Sequence, residues 1–384
     1  MESFMAEYSG IQVPPATRIG DSLRQVGTPS LMLDLNAFEF NIEQTAKLAR
    51  SHDVALRPHA KAHKCSAIAA AQIAAGAVGI CCQKPSEAYP FVRQGIRDIH
   101  ISNEFVGADK VAMAIELARH VRLSVCVDHI AQIDALGMAA TQAGVAITVL
   151  PEVDIGQGRC GVSTSDELVT LTDRLARYGG LRFGGVQAYH GGIQHVATWE
   201  ERHAAAGRSA ELAARHVQFL EARGIACPVV TGGGTGTVEF DVRSGVFTEL
   251  QPGSYIFMDA AYGSNEWAGS FVPRHSLFIA TTIMSTAKKG MAVCDVGLKG
   301  VAVDSGLPIV RPDSGADDLT YTAANDEHGI LNIAGDDRCD RLGDRVLLIP
   351  GHCDPTANLY RQYIGFRGET VEAVWEIDAS GLSR

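Results

Sequence analysis

Several things are scarce in this sequence, and each absence narrows what the chain can be. No stretch of about 18 residues is apolar throughout, which leaves no candidate for a membrane-spanning helix. The opening MESFMAEYSG lacks both the basic and the apolar segment of a secretory leader, so a soluble, unsecreted protein is expected. Positive charge is in deficit: 33 Lys+Arg against 44 Asp+Glu give a formal net charge of −11, the wrong sign for a nucleic-acid binder. Cysteines at metal-site or disulfide spacing are missing too. Nine are present, an odd number, and none forms C-x-x-C. That argues for a reducing cytoplasm and for small buried hydrophobes, with only Cys353 set apart by its neighbours.

What is there is a 384-residue chain of ordinary globular composition, 46% hydrophobic and 20% charged. At roughly 100–200 residues per domain this suggests two domains, or one large barrel carrying an extra module, and the second is expected. Residues 1–27 read as an irregular arm containing Pro14-Pro15. From residue 54 a pattern repeats: a short β-branched apolar run, a polar or glycine-rich turn, then an alanine-rich helical stretch. The runs are VALRP (54–58), VGICCQ (78–83), DIHISN (98–103), RLSVCVD (122–128), AITVLPEVD (146–154), RFGGVQAYH (182–190), PVVTGGG (228–234) and VFTELQPGSYI (246–256). Eight apolar strands joined by helical crossovers imply a closed (β/α)8 TIM barrel, with an open doubly wound sheet as runner-up.

After residue 270 the texture changes to short strands and turns: HSLFIATTIMST, KGMAVCDVG, LTYTAANDEHGILNI, DRVLLIPG and ETVEAVWEI. The fold class is therefore α/β, a barrel with an additional mainly-β C-terminal domain. Its parts are an N-terminal arm and strand (1–35), a barrel (36–270) and a β-domain (271–384), with the strand in TPSLMLDL (28–35) pairing into the later sheet.

A parallel barrel builds its site where the strands end. Those positions are polar here: His59, Lys61, His63 and Lys64; Gln83 and Lys84; Asn103 and Glu104; Asp128; Asp154 and Arg159; Gln187, Tyr189 and His190; Gly232 to Thr237; and Tyr255. Lys61 in RPHAKAHK stands just past the first strand, where a partly buried amine can serve as a Schiff-base nucleophile, although taken alone the octapeptide reads better as a solvated basic loop. TGGGTGT (231–237) offers approachable backbone N–H groups and hydroxyls to a phosphate, in the loop after the seventh strand, where barrel phosphate sites are usual. Arg159 lies in the glycine-rich EVDIGQGRCGV (152–162), which lets a guanidinium reach inward. In PGHCDPT (350–356) an extended chain aligns His352 and Asp354 on one face with Cys353 on the other. An H-x-D pair suits a divalent metal, and a turn opened by Asp354 before Pro355 accounts for the same residues.

A lysine after the first strand, a phosphate loop after the seventh, an inward arginine and an appended β-domain resemble the fold-type III, alanine-racemase-like pyridoxal phosphate enzymes. The blocks RPHAKAHK, QKPSEA, CVD, EVDIGQGRCGV, QAYHGGIQH, GGGTGT, ELQPGSYIFMDAAYG, DVGLKGVAVDSGLP, DEHG and PGHCDPT are similar to the D-threonine aldolase family and its D-serine dehydratase-like relatives, over nearly all of 28–376. The resemblance implies that Lys61 forms the internal aldimine with pyridoxal 5'-phosphate and that Arg159 faces the pyridine nitrogen. It implies that Gly233, Gly234 and Thr235 hold the phosphate, helped by Tyr189 or Tyr255, and that Gln83 and Lys84 reach the ring or substrate. His352 and Asp354 would bind Mn²⁺, Mg²⁺ or Zn²⁺, and His190 or His195 would move the hydroxyl proton. The activity implied is reversible cleavage of a β-hydroxy-D-amino acid, D-threonine-like or β-hydroxyaspartate, to glycine and an aldehyde by a homodimer. A dehydratase is the nearest alternative, with Cys353 as the ligand in place of Asp354; a non-catalytic pyridoxal phosphate carrier is a more distant one. A second carboxylate on the substrate would call for a further cation, supplied by Arg311, Arg274, Lys299 or Lys84.

Overall fold

The computed structural model describes residues 14–312, 314–335 and 341–384, so the first 13 residues of the expected arm lie outside the described residues. From residue 14 the arm packs on the far end of the chain: Leu23 N donates to Glu369 O, and Val371 N donates to Asp21 O, each at 2.9 Å. Strand β1 (Ser30–Asp34) follows. Helix Leu35–Ser51 starts where it does because the Asp34 carboxylate accepts from Asn36 N at 3.0 Å and Ala37 N at 3.2 Å. Such a cap contributes about 1 kcal/mol.

The eight apolar runs form a barrel. Its strands are β2 (Ala55–Leu56), β3 (Ile80–Cys82), β4 (Asp98–Ile101), β5 (Arg122–Val127), β6 (Ile147–Pro151), β7 (Leu181–Phe183), β8 (Gly185–Ala188), β9 (Val229–Gly232) and β10 (Glu249–Leu250). All their pairings are parallel, in the orders β3-β4-β5-β6-β7 and β2-β10-β9-β8. Two seams close the ring: His59 bridges Cys81, and Glu152 bridges Gln187. The sixth run, expected as one strand, is broken into β7 and β8. Gly185 has φ +129°, and a Cβ there would lie 1.9 Å from Val229 O, so glycine is what lets β8 close on β9. The expected helices are found at Ser66–Ala74, Ala108–Ala118, Ile130–Ala143, Ser165–Leu175 and Trp199–Glu221. No described helix is long and apolar enough to cross a membrane.

Below the mouth, the barrel interior is more polar than its strand sequences suggest. Arg57 Nε bonds Glu249 Oε1 at 2.9 Å and its Nη1 bonds Asp98 at 2.6 Å. Glu249 accepts from Thr231, Gln251 Nε2 donates to both Thr231 and Gln187, and His100 joins Gln187 to Ser124. Burial pulls the His100 pKa down to about 4, so it stays neutral in this network. These polar side chains pin one strand to the next at a fixed height beneath the site.

The β-domain is a nine-stranded sheet ordered β14-β15-β12-β11-β1-β17-β18, with β16 on β11 and β13 on β16. Its strands are β11 (Leu277–Lys288), β12 (Met291–Cys294), β13 (Ile309–Val310), β14 (Leu319–Ala324), β15 (Gly329–Ile333), β16 (Arg345–Ile349), β17 (Gln362–Arg367) and β18 (Thr370–Glu376). β1 sits in the middle of it, antiparallel to β11 and parallel to β17. The run LTYTAANDEHGILNI folds back as the hairpin β14–β15, and RQYIGFR, absent from the expected strands, becomes β17. One buried cluster, containing Leu31, Leu33, Phe38, Ile68, Phe257, Leu277, Ile279, Leu348 and Tyr363, joins the sheet to the barrel flank and includes Cys353 and Ala357 of the turn after β16.

Candidate active site

One cavity lies at the C-terminal ends of the barrel strands. Its wall includes His59, Lys61, Gln83, Arg159, Tyr189, Gln194, His195, Thr235, Ser254, Tyr262, His352 and Asp354. The loop after β2 makes a 3-10 turn, Ala60–Ala62, whose cap is the His59 ring: Nδ1 accepts from Lys61 N at 3.3 Å. Burial, and then the Lys61 charge, hold His59 well below its ordinary pKa. With Nδ1 accepting, the one ring proton sits on Nε2 and is donated to Ser102 Oγ at 2.9 Å. This bond fixes the base of the Lys61 loop to β4. Lys61 Nζ lies 6.0 Å from the centre of the Tyr189 ring, and Arg159 Cζ lies 5.6 Å from the same ring. Arg159 is brought there by a loop in which the Asp154 carboxylate accepts from Gly156 N at 2.9 Å and Gly158 N at 3.1 Å.

The glycine-rich loop is built from beneath. Gly236 N donates to Gln194 Oε1 at 2.9 Å, and Gln194 Nε2 donates to Thr237 Oγ1 at 3.0 Å. A Cβ at Gly234 would lie 2.5 Å from Gln194 Oε1, and one at Gly236 2.1 Å from Gln194 O, so both positions need glycine for this packing. Arg202, fully buried, holds the same loop by donating to Gly236 O at 2.9 Å, and it also donates to Val196, Ala197 and Glu266 carbonyls. Thr235 is 2% exposed and its hydroxyl has no hydrogen-bond partner. A buried hydroxyl left unsatisfied in a cradle of small residues fits an acceptor-rich ligand such as a phosphate.

From the β-domain side, the turn after β16 delivers His352 and Asp354. The chain there is not extended: Cys353–Ala357 is a short helix with His352 at its N-cap. His352 and Asp354 nevertheless both reach the cavity wall. Cys353 is fully buried, with Sγ 3.3 Å from Asp354 Oδ1 and its backbone N–H donated to Asp259 at 2.8 Å. Asp354 Oδ1 also accepts from Ser254 Oγ at 3.1 Å. An imidazole and a carboxylate facing a polar cavity, with the thiol turned into the core, form a donor set for a hard or borderline divalent cation. His195 completes this side, packed on Tyr262 with ring centres 4.3 Å apart. Partial enclosure lowers its pKa, the Asp259 and Asp354 carboxylates opposing, so it is neutral at neutral pH.

Of the residues nominated from sequence, Lys61, Gln83, Arg159, Tyr189, His195, Gly234, Thr235, His352 and Asp354 are brought together. Four to which the resemblance gave a role at the cofactor or substrate are not. Tyr255 is buried in the core, its hydroxyl accepting from Gln72 at 3.1 Å. Gly233 shapes the turn: it has φ +67°, and a Cβ would meet Asp241 Oδ2 at 2.6 Å. His190 lies beside Gly156, outside the cavity wall, with Nδ1 buried and unpartnered. Lys84 is not part of the wall, and its backbone N–H donates to Glu87 Oε2 at 3.2 Å. Sequence reasoning passed over Gln194, Ser254, Tyr262 and Arg202. Gln194 and Tyr262 fall within QAYHGGIQH and DAAYG, so those blocks were the available signal.

An acidic and cysteine cluster lies within the electrostatic reach of Arg159. Glu104, Cys126 and Glu152 bring side-chain ligand atoms within 4.8 Å of one another, as do Glu104, Asp128 and Cys160. Burial, then the Glu104 carboxylate, push Glu152 up to about 9, with Arg159 opposing. The folded state thus binds a proton that the unfolded chain releases at the usual glutamate value, so stability falls as pH rises between the two. We expect the thermal midpoint of the protein to drop between pH 6 and pH 8.5, and Glu152→Gln to flatten that drop. An equal drop in both proteins, followed by calorimetry, would show that Glu152 is ionised throughout.

Comparison with known proteins agrees with this geometry. Residues 33–261 match the model of the alanine racemase N-terminal domain, and residues 276–366 that of a putative serine dehydratase domain. The chain is 49% identical to a D-threonine aldolase of an Arthrobacter species over 375 residues, 98% of each chain. It is 39% identical to a 3-hydroxy-D-aspartate aldolase of Paracoccus denitrificans (strain Pd 1222) over 379 residues, covering 97% of this chain and 96% of that one. Among solved structures, D-threonine aldolase from Filomicrobium marinum superimposes with a TM-score of 0.93 at 44% identity, covering 97% of this chain and 100% of that one.

Proposed function

This chain belongs to the D-threonine aldolase family of alanine-racemase-like pyridoxal phosphate lyases, and from that premise we propose that it cleaves neutral β-hydroxy-D-amino acids to glycine and an aldehyde with the help of a divalent metal. The observation that carries this reading is the meeting of Lys61 with the His352 and Asp354 pair in one cavity. When bound there, pyridoxal phosphate supplies an electron sink for the Cα–Cβ bonding pair, and a divalent cation supplies a Lewis acid at the β-hydroxyl.

The rest of the work falls to the chain. Lys61 would hold the cofactor and return a proton at Cα. The Thr235 hydroxyl would donate to its phosphate. Arg159 would face the pyridine nitrogen and, as a cation, disfavour a second positive charge there. His195 would accept the hydroxyl proton, while His352 and Asp354 would hold the cation. A homodimer in the cytoplasm belongs to the same reading.

Substrate choice follows from what the wall lacks. Among the described residues, Lys61 and Arg159 are the only Lys or Arg side chains in it. None of the four further cations considered from sequence lines the cavity. Arg274 lies over the Phe40 ring at 3.6 Å and Arg311 over Phe278 at 4.8 Å. Lys299 is paired with Glu327 at 2.8 Å, and Lys84 is outside the wall. A second substrate carboxylate would enter without a partner, at a cost of at least about 1.4 kcal/mol, or tenfold. With Mn²⁺ present, kcat/KM for D-threonine is expected to exceed that for 3-hydroxy-D-aspartate by tenfold or more, with glycine and aldehyde as products. A preference for the dicarboxylate would overturn the neutral-substrate reading; ammonia and a 2-oxo acid as products would overturn the aldolase.

A further inference from the structure

The block DVGLKGVAVDSGLP takes no part in the reading above, yet it ends against the metal motif. His352 presents its ring at the cavity wall, and its Nδ1 is held from behind by Asp304 Oδ2 at 2.7 Å and by Ser305 Oγ at 3.3 Å. The loop carrying Asp304 is fixed to the same turn by its backbone. Ala302 N donates to Thr356 Oγ1 at 3.2 Å, and Thr356 Oγ1 in turn donates to His352 O at 2.7 Å. A Cβ on Gly351 would lie 2.1 Å from Gly306 O, so the two loops touch backbone to backbone one residue before His352. Asp304 itself is about half exposed, so burial does not require a carboxylate there.

A carboxylate accepting at Nδ1 requires the imidazole proton to be on Nδ1, which leaves the lone pair on Nε2. That is the tautomer a cation needs, and the hydrogen bond also fixes the ring plane and raises the basicity of Nε2. We propose that Asp304 is a positioning residue for a divalent cation held by His352 and Asp354, acting solely through the His352 ring. This inference rests on the metal reading given above.

The test is the Mn²⁺ dissociation constant of the cofactor-loaded enzyme at fixed pH, read from the electron paramagnetic resonance signal of free Mn²⁺, alongside the cofactor absorbance and the thermal midpoint. Asp304→Ala is expected to weaken Mn²⁺ binding by about 10- to 100-fold with absorbance and midpoint unchanged. Asp304→Asn, which keeps an acceptor oxygen without the charge, recovers part of that loss, and His352→Ala loses more than either. If Asp304→Ala binds Mn²⁺ as the unaltered enzyme does while His352→Ala does not, the positioning role is overturned and the metal reading stands. If His352→Ala binds as tightly as the unaltered enzyme, or the unaltered enzyme binds no Mn²⁺, both are overturned together.

Discussion

Replacement of Lys61 by alanine is expected to lower kcat by roughly 10³-fold or more and to remove the long-wavelength absorbance of the cofactor bound to the protein. Lys61 is asked to do two things that no neighbour can take over. It supplies the amine that holds the cofactor, and it returns a proton at the carbon left bare by cleavage; acid–base help alone accounts for about 10²–10⁴-fold in rate. The other amine near the mouth, Lys64, is paired with Glu87 at 3.2 Å and bonded to Asn358 at 3.1 Å, so it is not placed to substitute. The fold should survive the change. Lys61 is only half-buried, and what anchors its loop is backbone and ring: Lys61 N on His59 Nδ1, the His59 ring on Ser102, and His59 N on Pro252 O at 3.0 Å. A thermal midpoint that moves little, with turnover lost, separates a chemical role from a structural one. Turnover within tenfold of the unaltered enzyme would remove Lys61 from the centre of the site.

The barrel was legible because its signal is repeated: most of its parallel strands are buried on both faces and so read as apolar runs, and helical stretches recur between them. The exception is informative. RFGGVQAYH reads as one strand, and only the contact between Gly185 and Val229 O reveals why it is two. Strand ends were legible as chemistry, since Lys61, Arg159 and Thr235 follow apolar runs directly. Side-chain direction was not. Tyr255 and Tyr189 both follow strands, yet one is locked in the core by Gln72 and the other stands between Lys61 and Arg159, a difference set by packing that no local pattern records. Residues that act by holding others were the least legible. Gln194 lies inside the block QAYHGGIQH and Arg202 in a helix with no motif of its own, and the role of each exists only through carbonyls and amides far along the chain. His352 and Asp354 were picked out for a reason the structure replaces: the chain there is not extended, and a helix start after an extended N-cap brings both to the wall.

That geometry sets up the sharper of the two large expected effects. Asp354→Ala should lower metal-dependent turnover by roughly 10³-fold, since a Lewis acid at the reacting hydroxyl stabilises the transition state by several kcal/mol, and the residual rate should no longer respond to a chelator. Asp354→Asn should fall between, keeping an oxygen ligand and losing its charge. Cys353→Ala is the contrasting case. The thiol is fully buried, burial holds it well above its ordinary pKa, and its sulfur lies 3.3 Å from Asp354 Oδ1. A buried, protonated thiol is a poor metal ligand, so this variant should keep both its metal requirement and most of its turnover, losing only the stability that a small buried side chain contributes. The opposite pattern, activity surviving Asp354→Ala and failing in Cys353→Ala, would require the helix start to unwind and present the thiol to the cavity. It would make the soft ligand the working one and move the chemistry toward elimination of the hydroxyl. Turnover of the two variants, each measured with Mn²⁺ and with chelator, decides between them, because this turn puts Asp354, and not Cys353, on the cavity wall.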